Sequence, residues 1–418
     1  MQALAATFKE LRHPSAIDKL SAALIKSDVA KQSLNDITDI LGELDPSVDS
    51  VAYLFVLHAA LAKNGNRHEA LLTGMYLSQF CAFCSVAGRS SNAPIARDLI
   101  YGVSRAVTVA CTSLRSLQHI LAAAQAICTI VSSSGSLLGT ICQLHVDALQ
   151  LTLLGAALSP PAERSSVLAF ALPLMADSIL FACEETSKVT LQHIQEHVFA
   201  YFYYSGCIFC GLSNFEAAAD RFFLCLSAGA QGLNLAKEMR ESLSGRDHFS
   251  GRDQASGRDH FSGRDQASPA ANHEILEAAH KKLILACLLS ENDDLSCLKH
   301  IPVARLVSYE GLISAFSTSK DKGKASLAVM RQAITRYQDA FEEDGNLELV
   351  MRLQDAYLLQ AVRTSSSTHL AVDVLQLCSD LHLPSSVKIP DCIHALIHQA
   401  RCVRAALLNF WLTSGRAS

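Results

Sequence analysis

His193-Ile194-Gln195-Glu196-His197 is the stretch whose residue types and spacing come closest to chemistry. Two histidines four residues apart share one helical face, and an H-x-x-E-H string can hold zinc with the glutamate as general base. Two cysteine pairs, Cys81-x-x-Cys84 and Cys207-x-x-Cys210, have the spacing of metal ligands or of a redox dithiol. Each signal competes with a packing explanation. The histidine string opens a helix whose following Phe199, Phe202 and Cys207 are needed for a core, and no third zinc ligand can be assigned. Sixteen histidines in the chain also make a short match unremarkable. Both cysteine pairs fall inside helical patterns, without the Gly-turned knuckle of a zinc site or the strand-to-helix start of a thioredoxin motif. No phosphate-cradling G-x-x-x-x-G-K-[ST], no G-x-G-x-x-G and no G-x-S-x-G occurs. The reading assigns no catalytic, cofactor-binding or metal-binding residue. A zinc hydrolase built on His193, Glu196 and His197 stays as the alternative of a different class.

The elements that would position these residues are helical. Tyr201 to Ala228 reads as two amphipathic helices folded back on each other. Phe202, Gly206 and Phe209 lie on one face, and Phe215, Ala218, Phe222 and Cys225 on the other. Gly211 supplies a stop, and Ser213 with Glu216 a capping box. Small residues at Gly206 and Ala218 would let the pair approach, with aromatic rings on the flanks. A tetratricopeptide-like hairpin is built this way, and it needs neighbours to bury its faces.

Helical patterns fill the rest of the chain, with almost no period-two alternation. They are expected at Ser15–Lys26, Asp28–Leu44, Ser50–Lys63, Arg67–Ala87, Ala93–Arg115, Leu117–Ser132, Ser136–Leu158 and Glu163–Glu185. Beyond them come Lys188–Cys210, Asn214–Ala228 and a further helix to Ser242. Asp45-Pro46, Asn64-Gly65 and Pro160-Pro161 separate some of these. Ser244 to Ala267 is SGRDHFSGRDQA written twice. It is charge-neutral, and Phe249 and Phe261 are its only large apolar residues, so it reads as a disordered loop. Helices resume at His273–Ser290, Ser308–Thr318, Lys324–Glu342 and Asn346–Arg363. Two shorter ones, Leu370–Leu381 and Pro390–Leu408, flank a break at Pro384. Lys281-Lys282 and Lys320 to Lys324 are small basic spots.

Composition narrows the function. Of 418 residues half are apolar and only 18% are charged, with a formal net charge of −5. That balance argues against a nucleic-acid binder. Too few charges to cover a long helical array point to surface buried in partners or to efficient burial within one compact body. Fourteen cysteines scattered through apolar helices are the usage of buried thiols in a reducing compartment. Leu117 to Leu158 is the most apolar region, but His119, Gln125, Gln143, His145, Asp147 and Gln150 interrupt it, so packed helices are expected there and no membrane span.

The order of these patterns resembles the PCI-domain scaffold family, and within it the branch found in the COP-nine signalosome. The residues that carry the likeness are LHVDALQLTLL (144–154), FAYFYYSGCIFCGLSNFEAAADRFFLCL (199–226), EILEAAHKKLILACLL (274–289), YEGLISAFSTSK (309–320), NLELVMRLQDAYLLQAV (346–362) and HLAVDVLQLCSDLHLPSS (369–386). The resemblance implies an all-α fold, a tetratricopeptide-like helical-hairpin solenoid leading into a PCI domain that ends in a winged helix. Ile397 to Ser418 lacks the Gly-containing strand–turn–strand of a wing. The winged helix is therefore expected to be incomplete, either from truncation or misjoining after Leu396 or because docking uses helical faces. The implied domains are helical repeats at 1–187, central hairpins at 188–243, the SGRD loop at 244–271, the helical part of the PCI domain at 272–364, and a partial winged helix at 365–418.

The resemblance further implies a non-catalytic scaffold, without cofactor, supporting removal of Nedd8 from cullin-RING ubiquitin ligases, since that chemistry belongs to a metalloprotease subunit. It implies other signalosome subunits as partners through PCI and helical surfaces, cullin-RING ligases indirectly, no membrane and no nucleic acid, and a place in cytoplasm and nucleus. The proteasome lid or a translation-initiation complex is the alternative within the same fold.

Overall fold

The computed structural model describes residues 32–65, 70–87, 97–133, 141–175, 191–228, 269–290, 307–322 and 326–368. Among these residues the regular structure is helical and there is no strand. The fold is all-α, as the apolar periodicity requires. The expected helices at 15–26, 370–381 and 390–408, the extension to Ser242, the SGRD repeat and the incomplete wing lie outside the described residues. The chain divides into two compact units, Met1–Leu276 and Glu277–Ser418. No described helix is long and apolar enough to cross a membrane.

The first unit contains α1 (Leu34–Glu43), α2 (Ser50–Gly65), α3 (Ala70–Ala87), α4 (Arg97–Leu114), α5 (Leu117–Ser133), α6 (Gln143–Leu158), α7 (Pro161–Ala169), a 3-10 turn (Leu172–Met175), α8 (Leu191–Gly211) and α9 (215–228). Helices pack both on their sequence neighbours and on their next-but-one neighbours. The packed pairs include α2 with α4, α3 with α5, α4 with α6 and α6 with α8, and α5 lies along α6. That is the contact pattern of a helical-repeat array, in which each hairpin covers the faces of the next. One continuous apolar core runs from Leu34 to Leu174 and includes Leu57, Tyr76, Phe80, Val107, Ile127 and Leu151.

Local chemistry sets the helix ends, and several differ from the expected ones. Within the helix expected over Asp28–Leu44, Gln32 and Ser33 are not helical, and α1 begins at Leu34. The Ser33 hydroxyl accepts from Asp36 N at 3.2 Å, and Asp36 Oδ2 accepts back from Ser33 N, closing a capping box. Similarly, the helix expected over Ser136–Leu158 begins at Gln143, because Cys142 is extended at its N-cap (φ −136°). Proline corrects the next boundary. The helix expected to run from Glu163 to Glu185 ends at Ala169 and passes into the 3-10 turn that contains Pro173. Pro173 has no N–H to donate to Ala169 O, so the α-helical ladder cannot continue through it.

The central hairpin is present, with different turn chemistry. α8 ends in a Schellman motif: Ser213 N donates to Cys210 O at 3.0 Å and Asn214 N to Phe209 O at 2.9 Å. Ser213 takes the left-handed position (φ 59°), so it is not the N-cap of α9. Asn214 is, and its Oδ1 accepts from Ala217 N at 3.2 Å. The expected Ser213–Glu216 box is thereby replaced. Gly211 is the last helical residue and serves a close approach: a Cβ there would lie 2.4 Å from Leu168 Cδ1. At Gly206 the fit is with α9, where a Cβ would lie 2.6 Å from Phe222 Cε1. The buried Phe222 ring therefore occupies the crossing itself, whereas the flank was expected for the rings.

The second unit contains the C-terminal part of α10 (Pro269–Leu289), then α11 (Val307–Lys322), α12 (Ser326–Arg336), α13 (Gln338–Glu343) and α14 (Leu347–Thr368). The single helix expected over Lys324–Glu342 is broken at Tyr337 (φ −116°, ψ 18°). The break sets the Tyr337 ring against α11, where a Cβ on Gly311 would lie 3.1 Å from Tyr337 Cε2. α11 packs on α12, and α12 and α13 pack on α14.

The Gly206 notch gives a direct test. Gly206→Ala should destabilise the protein by about 1–3 kcal/mol, the usual cost of overpacking a filled core. Gly42→Ala, in α1 with nothing within 4 Å of its added methyl, should be neutral or stabilising by roughly 0.5–1 kcal/mol. Equilibrium denaturant unfolding of both variants measures the contrast, and equal effects would contradict the notch.

Candidate functional site

The residues singled out for chemistry are distributed along helices and are not gathered into one cleft. His193 and Glu196 lie in the first turns of α8, and their side chains are outside the described set. His197, one turn on, is half-buried and has an interaction partner. Cys81 and Cys84 are half-buried and buried within α3, and Cys207 and Cys210 likewise within α8. Burial pushes the Cys81 thiol up, and burial with the nearby Cys81 pushes Cys84 well above the ordinary range. A nucleophilic or redox-active thiol needs the opposite shift. Among the described residues no three His, Cys, Asp or Glu side chains converge as metal ligands.

The densest cluster of functional side chains lies elsewhere, along α6. This helix is buried on nearly every side by α4, α5, α7 and α8, yet it carries Gln143, His145, Asp147 and Thr152 inside. Each must find a partner, since an unpaired buried polar group is costly. Thr152 donates to Ala148 O at 2.8 Å, one turn back. Asp147 Oδ1 accepts from Gln143 Nε2 at 2.6 Å on its own helix, and Oδ2 from Ser104 Oγ of α4 at 2.6 Å. His145 Nδ1 accepts from Cys142 N at 3.4 Å and lies 3.3 Å from Cys142 Sγ. Accepting at Nδ1 fixes the neutral tautomer with its proton on Nε2, and Nε2 has no hydrogen-bond partner among the described residues. The ring packs edge-on against Tyr201 of α8 at 6.1 Å, and Tyr201 OH donates to Leu174 O of the 3-10 turn at 2.9 Å. Tyr101 of α4 hydrogen-bonds the Cys142 thiol. One polar seam thus joins α4, α6, α8 and the 3-10 turn.

Cys142, His145 and Asp147 are the residue types of a nucleophilic triad, but their arrangement is not one. Both Asp147 oxygens accept from Ser104 and Gln143, so the carboxylate does not orient the imidazole. Burial pushes the Cys142 thiol up and lowers His145 to about 4, which leaves both neutral at neutral pH. A thiolate–imidazolium pair is disfavoured, and the seam serves packing. Sequence reasoning counted Gln143, His145 and Asp147 as polar interruptions of an apolar stretch. The Cys-x-x-His spacing at a helix start is the one local signal that could have found the cap.

These helices match a known family. The family described as "COP9 signalosome complex subunit 3, N-terminal helical repeats" matches residues 15–235, just over half of the chain. The span takes in α1 to α9, the polar seam, and the stretches 144–154 and 199–226 that carried the sequence resemblance; 274–289, 309–320, 346–362 and 369–386 lie beyond it. A comparison with curated proteins returned no match.

Asp147 makes the seam testable by pH. Burial raises its carboxyl from 3.8 to about 6, against the opposing pull of Ser104, Gln143 and Arg105. The folded state therefore holds a proton that the unfolded chain releases. Its stabilising effect is full below about pH 4 and is lost as pH rises through about 6. Asp147→Asn removes that dependence. The stability difference, variant minus wild type, should rise by on the order of 2–3 kcal/mol between pH 4 and pH 7 in parallel denaturant titrations. A difference that does not change with pH would show that Asp147 is not buried as described.

Proposed function

The chain belongs to the COP9 signalosome subunit 3 helical-repeat family, and from that premise we propose that it is a non-catalytic scaffold subunit of the signalosome. The observation that supports this most is the family match over residues 15–235, which spans the whole described array of the first unit. In this reading the array holds a shape that other subunits contact. The chain supports removal of Nedd8 from cullin-RING ligases without carrying out the cleavage. Residues 272–364 would be the helical part of a PCI domain and 365–418 its partial winged helix. Contacts with other signalosome subunits would use these and the helical faces of 1–187 and 188–243, with cullins bound indirectly. The complex would act in cytoplasm and nucleus.

The chemistry of the described side chains is consistent with a scaffold. The Cys142 thiol and the His145 imidazole are held neutral by burial, and the Asp147 carboxyl is taken up by packing partners, Ser104 and Gln143.

Affinity purification of the tagged full-length chain tests the proposal. Other signalosome subunits, with the deneddylating metalloprotease and cullins, should be recovered; recovery of proteasome-lid subunits alone would overturn it. His193→Ala with His197→Ala should leave that assembly and its cullin deneddylation unchanged. Stoichiometric zinc in the purified chain, lost in the double variant together with a hydrolytic activity, would instead support the zinc-hydrolase reading.

A further inference from the structure

The second unit contains a polar network outside the family match. In α10, Lys281 and Lys282 are consecutive, and both extend to the turn between α13 and α14. Lys281 Nζ donates to Asp344 Oδ1 at 2.7 Å and also pairs with Glu277 at 2.8 Å, one turn back on its own helix. Lys282 Nζ donates to Asn346 Oδ1 at 2.5 Å. Tyr309 of α11 closes the circuit: its hydroxyl donates to Asp344 Oδ2 at 2.9 Å and accepts from Asn346 Nδ2 at 2.8 Å. The Tyr309 ring is fully buried and packs edge-on against Phe341 of α13 at 5.2 Å. Asn346 is 1% exposed, yet both ends of its amide are satisfied.

The turn these side chains hold has no slack of its own. Gly345 is left-handed (φ 63°), a conformation that costs an ordinary side chain. Gly345 N donates to Glu342 O at 3.0 Å and Asn346 N to Phe341 O at 2.8 Å, ending α13. The Asn346 carbonyl then accepts from Val350 N at 3.1 Å and starts α14. The direction in which α14 leaves the turn therefore depends on where residues 344–346 are held. α11 reaches this turn directly through the buried Tyr309 and also packs on α12, while α10 reaches it through Lys281 and Lys282. The Lys281–Asp344 contact is polar and partly exposed, so it responds to charge and to salt.

We propose that Lys281, Lys282, Tyr309, Asp344 and Asn346 form a charge-operated latch that holds the start of α14 against α10 and α11. Closed, the latch fixes the α13–α14 turn; loss of the lysine charge releases it. The Lys281–Asp344 pair is partly shielded, with side chains 15% and 21% exposed, so it is stronger than an open surface pair and still within reach of salt. Tyr309 and Asn346 make the latch specific, because moving the turn would leave a buried hydroxyl and a buried amide unpaired.

Hydrogen exchange on the full-length chain reads the latch directly. Lys281→Gln keeps the reach and removes the charge, and Asp344→Asn removes the opposite one. Each should speed exchange of the Gly345, Asn346 and Val350 amides by about tenfold to a hundredfold, the effect of losing one charged hydrogen bond. Lys281→Arg should restore slow exchange, and amides of α1 to α6 should not change. In the wild type, rising KCl should speed these three amides before others of the second unit. Unchanged exchange at the turn would overturn the proposal. Equal acceleration throughout the second unit would overturn it too, because that is loss of general stability. Should Asp344→Asn fail to fold, the salt titration of the wild type decides alone.

Discussion

A helix buried on nearly every side is the constraint from which the first unit follows. α6 has neighbours in α4, α5, α7 and α8, so along most of its length it has little solvent face on which to place polar residues. Its side chains must be apolar or must carry their own partners. Asp147 takes one partner from its own helix and one from α4, while His145 takes its cap from Cys142 and stacks on α8. These bonds add little net stability, since water would have supplied equivalents in the unfolded chain. They select one arrangement, because a register shift of α6 against α4 would leave Asp147 and Ser104 buried and unpaired.

The close approaches around α6 are solved by size. Phe222 fits the notch left by Gly206, and Leu168 covers Gly211. A similar fit recurs between next-but-one helices, where His58 of α2 faces Gly102 of α4 and His119 of α5 faces Gly74 of α3. Each pairs a ring with a residue that has no side chain, so the helices come close without a void. The spacing of repeats is thus set by a few pairs of large and small side chains, and the apolar stripes fill what remains.

The sequence shows those features whose cause is local, and hides those whose cause is distant. Apolar residues at three- and four-residue steps revealed the helices and the central hairpin, because that periodicity is a property of one segment. Asp45-Pro46 marked a true turn for the same reason: Asp45 Oδ1 accepts from Ser47 N, two residues on. Pro173 is a local signal of the same kind, since its missing N–H ends a helix that runs into it. At the hairpin turn, a serine in the left-handed position displaced the expected cap by one residue, a choice made by the Schellman bonds to Phe209 and Cys210. Lys281 and Lys282 read as a small basic spot, since their partners lie more than sixty residues away. No spacing rule reaches that far.

The same distinction applies to Cys81-x-x-Cys84, whose spacing suggests chemistry while burial raises both thiols. H-x-x-E-H and C-x-x-C are rules about spacing on a helix, and spacing alone does not set a pKa. Environment does: Cys84, Cys111, Cys128 and Cys225 all have their thiols raised by burial, and His58 and His145 are lowered by it. A nucleophile or general base needs a neighbour that favours its charged form, and for these groups burial favours the neutral one. Titratable residues in such an array act as small packing units with one or two directed bonds. Within the first unit, the close contacts between helices hold those directed bonds in register.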